Sequence, residues 1–300
     1  MIIYLKPRSL FPSLHSDTIF GALLYTIKEL YPEKFQDVLE RFKNGDAPFL
    51  VSSAYPFLDA DGEKLRFFPK PLMEPERHDM GTAKKMRKIR YVEESIFQSW
   101  IRSGEGYVSK NMDNYRLQDG LLFSKDINLD FKFDADTVPR NTINRVTNAS
   151  ENIFYSSGVR MKGVGLFFLV RFLDDDYEHL ITGSMRFLSD RGFGGDISVG
   201  KGHFDHEISN ENLLSAEGKN FITLSRYIPT KEEIHSMGDD LWYELGSKRG
   251  RGSDGTLRKD VKFFREGSTF KSMDRDIYGR VVESAREAVE YGLAYPVGVK

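Results

Sequence analysis

Fourteen residues, RGFGGDISVGKGHF from Arg191 to Phe204, hold five glycines and are poorly suited to packing a core. Four kinds of chemistry fit such a loop. A dinucleotide fingerprint needs its glycines after a strand and opening a helix, and here they follow a helical pattern and lead into a strand. A phosphate-cradling P-loop needs a hydroxyl after its lysine, but GDISVGKG puts Gly202 there. A plain turn with positive φ angles is the third reading. The fourth is a loop whose exposed N–H groups meet an extended polyanion. In it Gly192, Gly194, Gly195 and Gly200 allow close approach, Ser198 adds a small polar group, and Arg191 and Lys201 stand at the rims.

Cations elsewhere are local. The chain has a net charge of −2 over 300 residues, spread almost evenly between its halves, so it does not coat duplex DNA by bulk electrostatics. One basic track stands out, Val138 to Arg171, with Arg140, Arg145, Arg160, Lys162 and Arg171 against the single acid Glu151. Asn141, Asn148 and Tyr155 in the same stretch suit phosphates and splayed bases, and a solvated interdomain loop is the plainer alternative. KKMRKIR (84–90) reads as a solvated helix face or as an RNA contact. GSKRGRGSDG (246–255) reads as a hairpin tip whose Arg249 and Arg251 could order on RNA or on a protein neighbour. His203 and His206, three apart in a strand, point to opposite faces and cannot share a metal. The 300 residues contain no cysteine, which rules out disulfides and thiolate sites and points to a cytoplasmic protein. No stretch approaches the roughly 18 apolar residues of a membrane span.

These groups must be positioned by an α+β scaffold. IIYL opens as a strand, and Ile19, Phe20, Leu23, Leu24 and Ile27 then recur at helical spacing, with Ser16 or Asp17 set to cap or charge the first turn. PEKFQDVLERFKNG is a second helix between Pro32 and Gly45. FLVSSAYPFL and LRFFPKPL are strands. Residues 136–158 are polar and loop-like. GVGLFFLVRFL is a buried strand, YEHLITGSMRFLSD a helix, and HFDHEI, FITLSRYIP and the terminal YGLAYPVGV are strands. LWYELG and VKFFRE form a hairpin. The second half thus reads as split βαβ, and the first half begins alike. The expected architecture is two ferredoxin-like (RRM-like) domains with inserted loops and hairpins, 1–140 and 141–300 with the glycine loop in the second.

LHSDTIFGAL (14–23), PFLVSSAYPF (48–57), FFPKPL (67–72), VPRNTINR (138–145), GFGGDISVGKG (192–202) and YGLAYPV (291–297) are the blocks, in this order, of a known family. On them the chain resembles the RAMP superfamily of CRISPR-associated proteins, and within it the subunit-four branch of the type III-A Csm effector. The glycine loop alone is specific to the superfamily; its combination with LHSDTIFGAL and SSAYPF points to the branch. The resemblance implies a subunit that uses no cofactor or metal and is not an enzyme. It would grip the repeat-derived 5′ tag of the CRISPR RNA, with His15 and Ser16 among the contacts, between the large polymerase-like subunit and the adjacent backbone RAMP subunit. The rival within the superfamily is a metal-independent endoribonuclease that processes CRISPR RNA through His15 as general acid or base. Asp113 and Asp119 stand in a loop where backbone RAMP subunits carry a cleaving aspartate, but no second acid is placed for a metal.

Overall fold

The computed structural model describes residues 1–60, 62–194, 200–211, 214–238, 241–250, 257–285 and 288–299. The chain runs β1 (Ile2–Pro7), α1 (Ser16–Leu30), α2 (Pro32–Asn44), β2 (Phe49–Val51), β3 (Tyr55–Ala60) and β4 (Glu63–Pro69). Next come α3 (Met80–Lys88), β5 (Tyr91–Glu93), α4 (Glu94–Ser103), α5 (Glu105–Lys110), β6 (Tyr115–Gln118) and β7 (Leu121–Ser124). A long hairpin, β8 (Lys132–Ile143) and β9 (Ser150–Lys162), precedes β10 (Val164–Phe172), α6 (Glu178–Arg191) and β11 (Phe204–Ser209). The remainder is β12 (Asn220–Thr223), α7 (Lys231–Ser236), β13 (Leu245–Lys248), β14 (Val261–Phe264), β15 (Thr269–Lys271), β16 (Val282–Ala285), β17 (Ala288–Glu290) and β18 (Pro296–Val299).

Nine strands form one mixed sheet in the order β11-β1-β10-β3-β4-β5-β7-β6, with β2 also on β10. Its first four strands pair antiparallel, Ile3 lying opposite Phe168 on one side and Ile208 on the other. With α1 between β1 and β3 and α6 between β10 and β11, their order is fourth-first-third-second, the split βαβ arrangement. One such unit is therefore assembled from both sides of residue 140, which is not a boundary in this sheet. The β-α-β patterns of the two halves are the two halves of one unit, because β1 takes its neighbours from residues 164–209 instead of completing a sheet within its own half. Among the described residues a second complete unit is not formed. β15-β12-β18 make a three-stranded sheet, and β13-β14 the expected hairpin.

The main core reaches into both parts, and the C-terminal sheet adds a smaller one around Phe221, Tyr227 and Phe270. Phe20, Leu23 and Ile27 of α1 and Ile181 and Met185 of α6 are buried over the sheet with Tyr4, Phe167 and Phe168. Phe20 meets Phe42 edge-on at 4.7 Å and lies 4.9 Å from Tyr291, so the C-terminal segment closes over the same helices. Each such ring contributes about 1.5–3 kcal/mol by burial. Among the described residues no helix is long and apolar enough to cross a membrane.

The segment 136–158 corrects the expectation of a loop. It lies in two paired strands and their turn, Arg140 opposite Phe154 and Asp134 opposite Arg160, forming an arm in which no described side chain is buried. A strand betrays itself in sequence through one buried face, and an arm in solvent has none. Its turn is built by Asn144, whose Oδ1 accepts from the N–H of Val146 (2.9 Å) and Thr147 (3.2 Å).

Candidate nucleic-acid interface

The glycine loop is closed at its base by backbone. Phe193 N donates to Gly202 O, and Gly202 N donates to Leu10 O, each at 3.0 Å. Phe193 is buried, stacked on Phe204 at 5.1 Å and edge-on to Phe11. A Cβ at Gly202 would lie 2.0 Å from Phe193 O, and φ there is +80°. Gly202 was absent from the expected contacts because its part is closure, and a run of glycines carries no mark of which one meets protein backbone. Gly194 differs. Its φ of +99° demands glycine, but among the described residues a Cβ would meet only Pro12 Cγ, at 3.6 Å. A bulky residue there acts through backbone strain as well as by blocking approach. Among the described residues nothing lies within 4 Å of a Cβ at Gly200, and Gly192 is buried as the residue after α6. Gly195 and Ser198 lie outside the described residues. Lys201 Nζ donates to Ser157 O at 2.6 Å.

That last bond ties the loop to the arm. Phe11 and Val159 also exchange backbone hydrogen bonds at 3.0 and 2.9 Å. The β1–α1 connection, the loop base and the root of the arm therefore share one corner. From it the arm carries Arg160 (63% exposed, 3.0 Å from Asp136) and the exposed Lys162 near its root, and Arg145 exposed at its turn. Arg140 is half-buried, and exposed Asn141 accepts from the Ser150 hydroxyl. Phe154 is exposed on the same face as Arg140, Arg160 and Lys162, and Tyr155 and Ile153 are exposed on the other. Arg171 leaves the track: it lies over the Tyr295 ring and donates to Pro296 O, on the C-terminal sheet. Arg249 is exposed on the β13–β14 hairpin with Nε donating to Arg258 O, away from the arm in sequence and in sheet. Arg251 lies outside the described residues.

The His15–Ser16–Asp17 block is mostly structural. Neither Ser16 nor Asp17 caps α1 from its own turn. Ser16 is fully buried: its N–H donates to Ser53 Oγ at 2.9 Å and its hydroxyl accepts from Arg226 N at 3.0 Å, so it presents nothing to a ligand. Asp17, 4% exposed, is paired with Arg226 (3.0 Å) and Lys248. His15 Nδ1 lies 2.9 Å from Glu266 Oε1, the same oxygen that accepts from the Ser53 hydroxyl, and its side chain is 38% exposed. Glu266 stands 251 residues away and left no trace in the sequence pattern.

Burial alone would raise the Glu266 carboxyl. The hydrogen bond and charge of His15, with the Ser53 hydroxyl, outweigh it and bring the value to about 2 from an ordinary 4.5. A group depressed in the folded state contributes its full stability above the unfolded value and loses it as pH falls through the folded one. On the order of 3 kcal/mol should therefore be lost between pH 4.5 and 2. Urea unfolding at stepped pH is expected to show wild type and Glu266→Gln converging across that interval. Curves that stay parallel would deny the carboxylate this role.

Asp113 sits in a short 3₁₀ turn and Asp119 in the β6–β7 turn at φ +50°. Among the described residues no three His, Asp or Glu side chains are placed to hold a metal.

No protein-family model matches the chain. Over 99% of its length and 96% of the relative's it is 27% identical to the CRISPR system protein Csm4 of Thermococcus onnurineus (strain NA1). A chain in the crystal structure of the Csm3–Csm4 subcomplex of the type III-A CRISPR-Cas interference complex superposes with a TM-score of 0.67 at 17% identity, covering 99% of this chain and 98% of that one. A chain in the crystal structure of the Csm1–Csm4 cassette with pppApA gives 0.63 at 22%, covering 100% and 97%. The structural likenesses are of fold.

Proposed function

We propose that the chain is a Csm4-like RAMP protein of the type III-A kind and that it holds the 5′ tag of a CRISPR RNA in a Csm effector without cutting it. The RNA crosses the corner where the glycine loop meets the arm. That corner is the observation that carries the reading. It sets exposed backbone at Gly194 and Gly200 on a loop tied to the root of a protruding hairpin that carries Arg160, Lys162 and the exposed Phe154 ring on one face, the pairing of groups that a single strand needs. The chains of like fold were solved with Csm1 and with Csm3, which supports a large polymerase-like partner on one side and a backbone RAMP subunit on the other.

A second reading, cleavage through His15, has one observation in its favour. A carboxylate on Nδ1 orients an imidazole as in many acid–base sites. The same carboxylate holds Ser53, which in turn holds the first amide of α1, so the pair is accounted for as a helix anchor.

The two readings part in one experiment. Full-length chain, co-expressed with its effector neighbours, is purified and titrated with tag RNA in EDTA. Arg145→Ala is expected to weaken binding by roughly 1–3 kcal/mol, the scale of a charge-assisted contact, with a shallower salt dependence. Wild type should leave the RNA intact. Unchanged affinity would remove Arg145 from the site, and specific cleavage lost in His15→Ala would replace the proposal by the nuclease.

A further inference from the structure

Beneath the loop base, α1 and α6 enclose a cavity of about 340 Å³ lined by Thr18, Ala22, Tyr25, Leu188, Arg191 and Phe193. That is the small end of ligand pockets. Leu188 and Phe193 are buried and, with Ala22, give it an apolar floor. At its mouth the Arg191 guanidinium lies 5.0 Å over the Tyr25 ring and 5.8 Å from the Phe187 ring, so planar groups flank the opening. Tyr25 is 40% exposed there. Arg191 is exposed in the cavity lining, and its guanidinium carries a fork of N–H donors suited to an incoming edge of acceptors. Gly194, on the same wall, is where the cavity opens onto the loop.

We propose that this cavity takes one unpaired nucleobase of the bound strand, swung out of line as the strand crosses the glycine loop. The inference rests on the RNA-binding reading above and deepens it. A base has the two properties the site matches: a π face for the Tyr25 ring and the apolar floor, and a rim of acceptors for the guanidinium. A phosphate would answer the guanidinium but leave the ring and the apolar floor unmatched, and an apolar side chain would leave the Arg191 donors unanswered.

The test is an abasic scan. Tag RNAs, each lacking one base, are titrated against the full chain in its complex. Stacking of this kind predicts a loss of roughly 5–100-fold at one position and little elsewhere. In Tyr25→Ala that position should become insensitive, while Tyr25→Phe keeps the sensitivity. Equal thermal midpoints of the variants show that the fold is intact. A flat scan in a wild type that still binds intact tag RNA would overturn the pocket and spare the RNA reading. Failure of wild type to bind any tag RNA would sink both. Saturable binding of a free nucleoside monophosphate that depends on Tyr25, beside a flat scan, would overturn the proposal in favour of a small-molecule site.

Discussion

Asp17→Ala is expected to lower the unfolding free energy by about 3 kcal/mol, the lower end of what breaking a buried ion pair costs. Its carboxylate is 4% exposed and holds two cations: Arg226, 14% exposed, and Lys248, a third exposed. Arg226 also lies 4.3 Å over the Phe263 ring and has little water to turn to. Glu290, 8% exposed, holds Arg258 at 3.0 Å and reaches Lys248 at 3.4 Å, so it cannot neutralise both orphans. The network joins the first turn of α1 to the β13–β14 hairpin and to β17. Its loss should therefore loosen the C-terminal part first. Urea unfolding of the full chain measures the effect, and Lys248→Met in the Asp17→Ala background should cost less than it does alone, since the partner is already gone. An unchanged midpoint for Asp17→Ala would show that these charges hold nothing together.

Gly202→Val should be as damaging and more specific. Any Cβ at this position meets the Phe193 carbonyl at 2.0 Å, and the φ of +80° excludes a β-branched residue besides. Backbone strain of about 1–3 kcal/mol adds to overpacking of about 1–3 kcal/mol. The closure between Phe193, Gly202 and Leu10 would open, and with it the corner where loop and arm meet, so guide RNA should no longer co-purify. Gly45→Ala, just after α2 and outside the loop, is the control: φ is also positive (+80°) and no described atom lies within 4 Å of the added Cβ, so only roughly 1–2 kcal/mol of strain is expected and RNA should be retained. Equal losses in the two variants would mean that the Phe193 contact is not what closes the loop.

Much of this molecule was legible in the residues. The three-and-four spacing of Ile19, Phe20, Leu23 and Ile27 stated α1, and the unbroken apolar run around Phe167 stated β10, because periodicity is a local record of which face is buried. The glycine loop announced itself by composition. The arm did not: with no described side chain fully buried it leaves no clear apolar alternation, and only the Asn-rich turn between Asn144 and Asn148 hinted at a reversal. Its cations were found in the track, but Arg171 was counted with them, since proximity in sequence says nothing about which sheet a side chain leans on.

What the chain determined by itself, then, was the kind and succession of its elements and the blocks that mark its relatives. Tertiary structure alone decided that the two β-α-β patterns interleave into one unit, that Glu266 comes to His15, that Ser16 is buried, and that Gly202 is a lock. Each of those depends on at least one partner distant in sequence, Leu10 in the case of Gly202. Such pairings are chosen by the global packing of faces, a quantity that no local window of residues encodes.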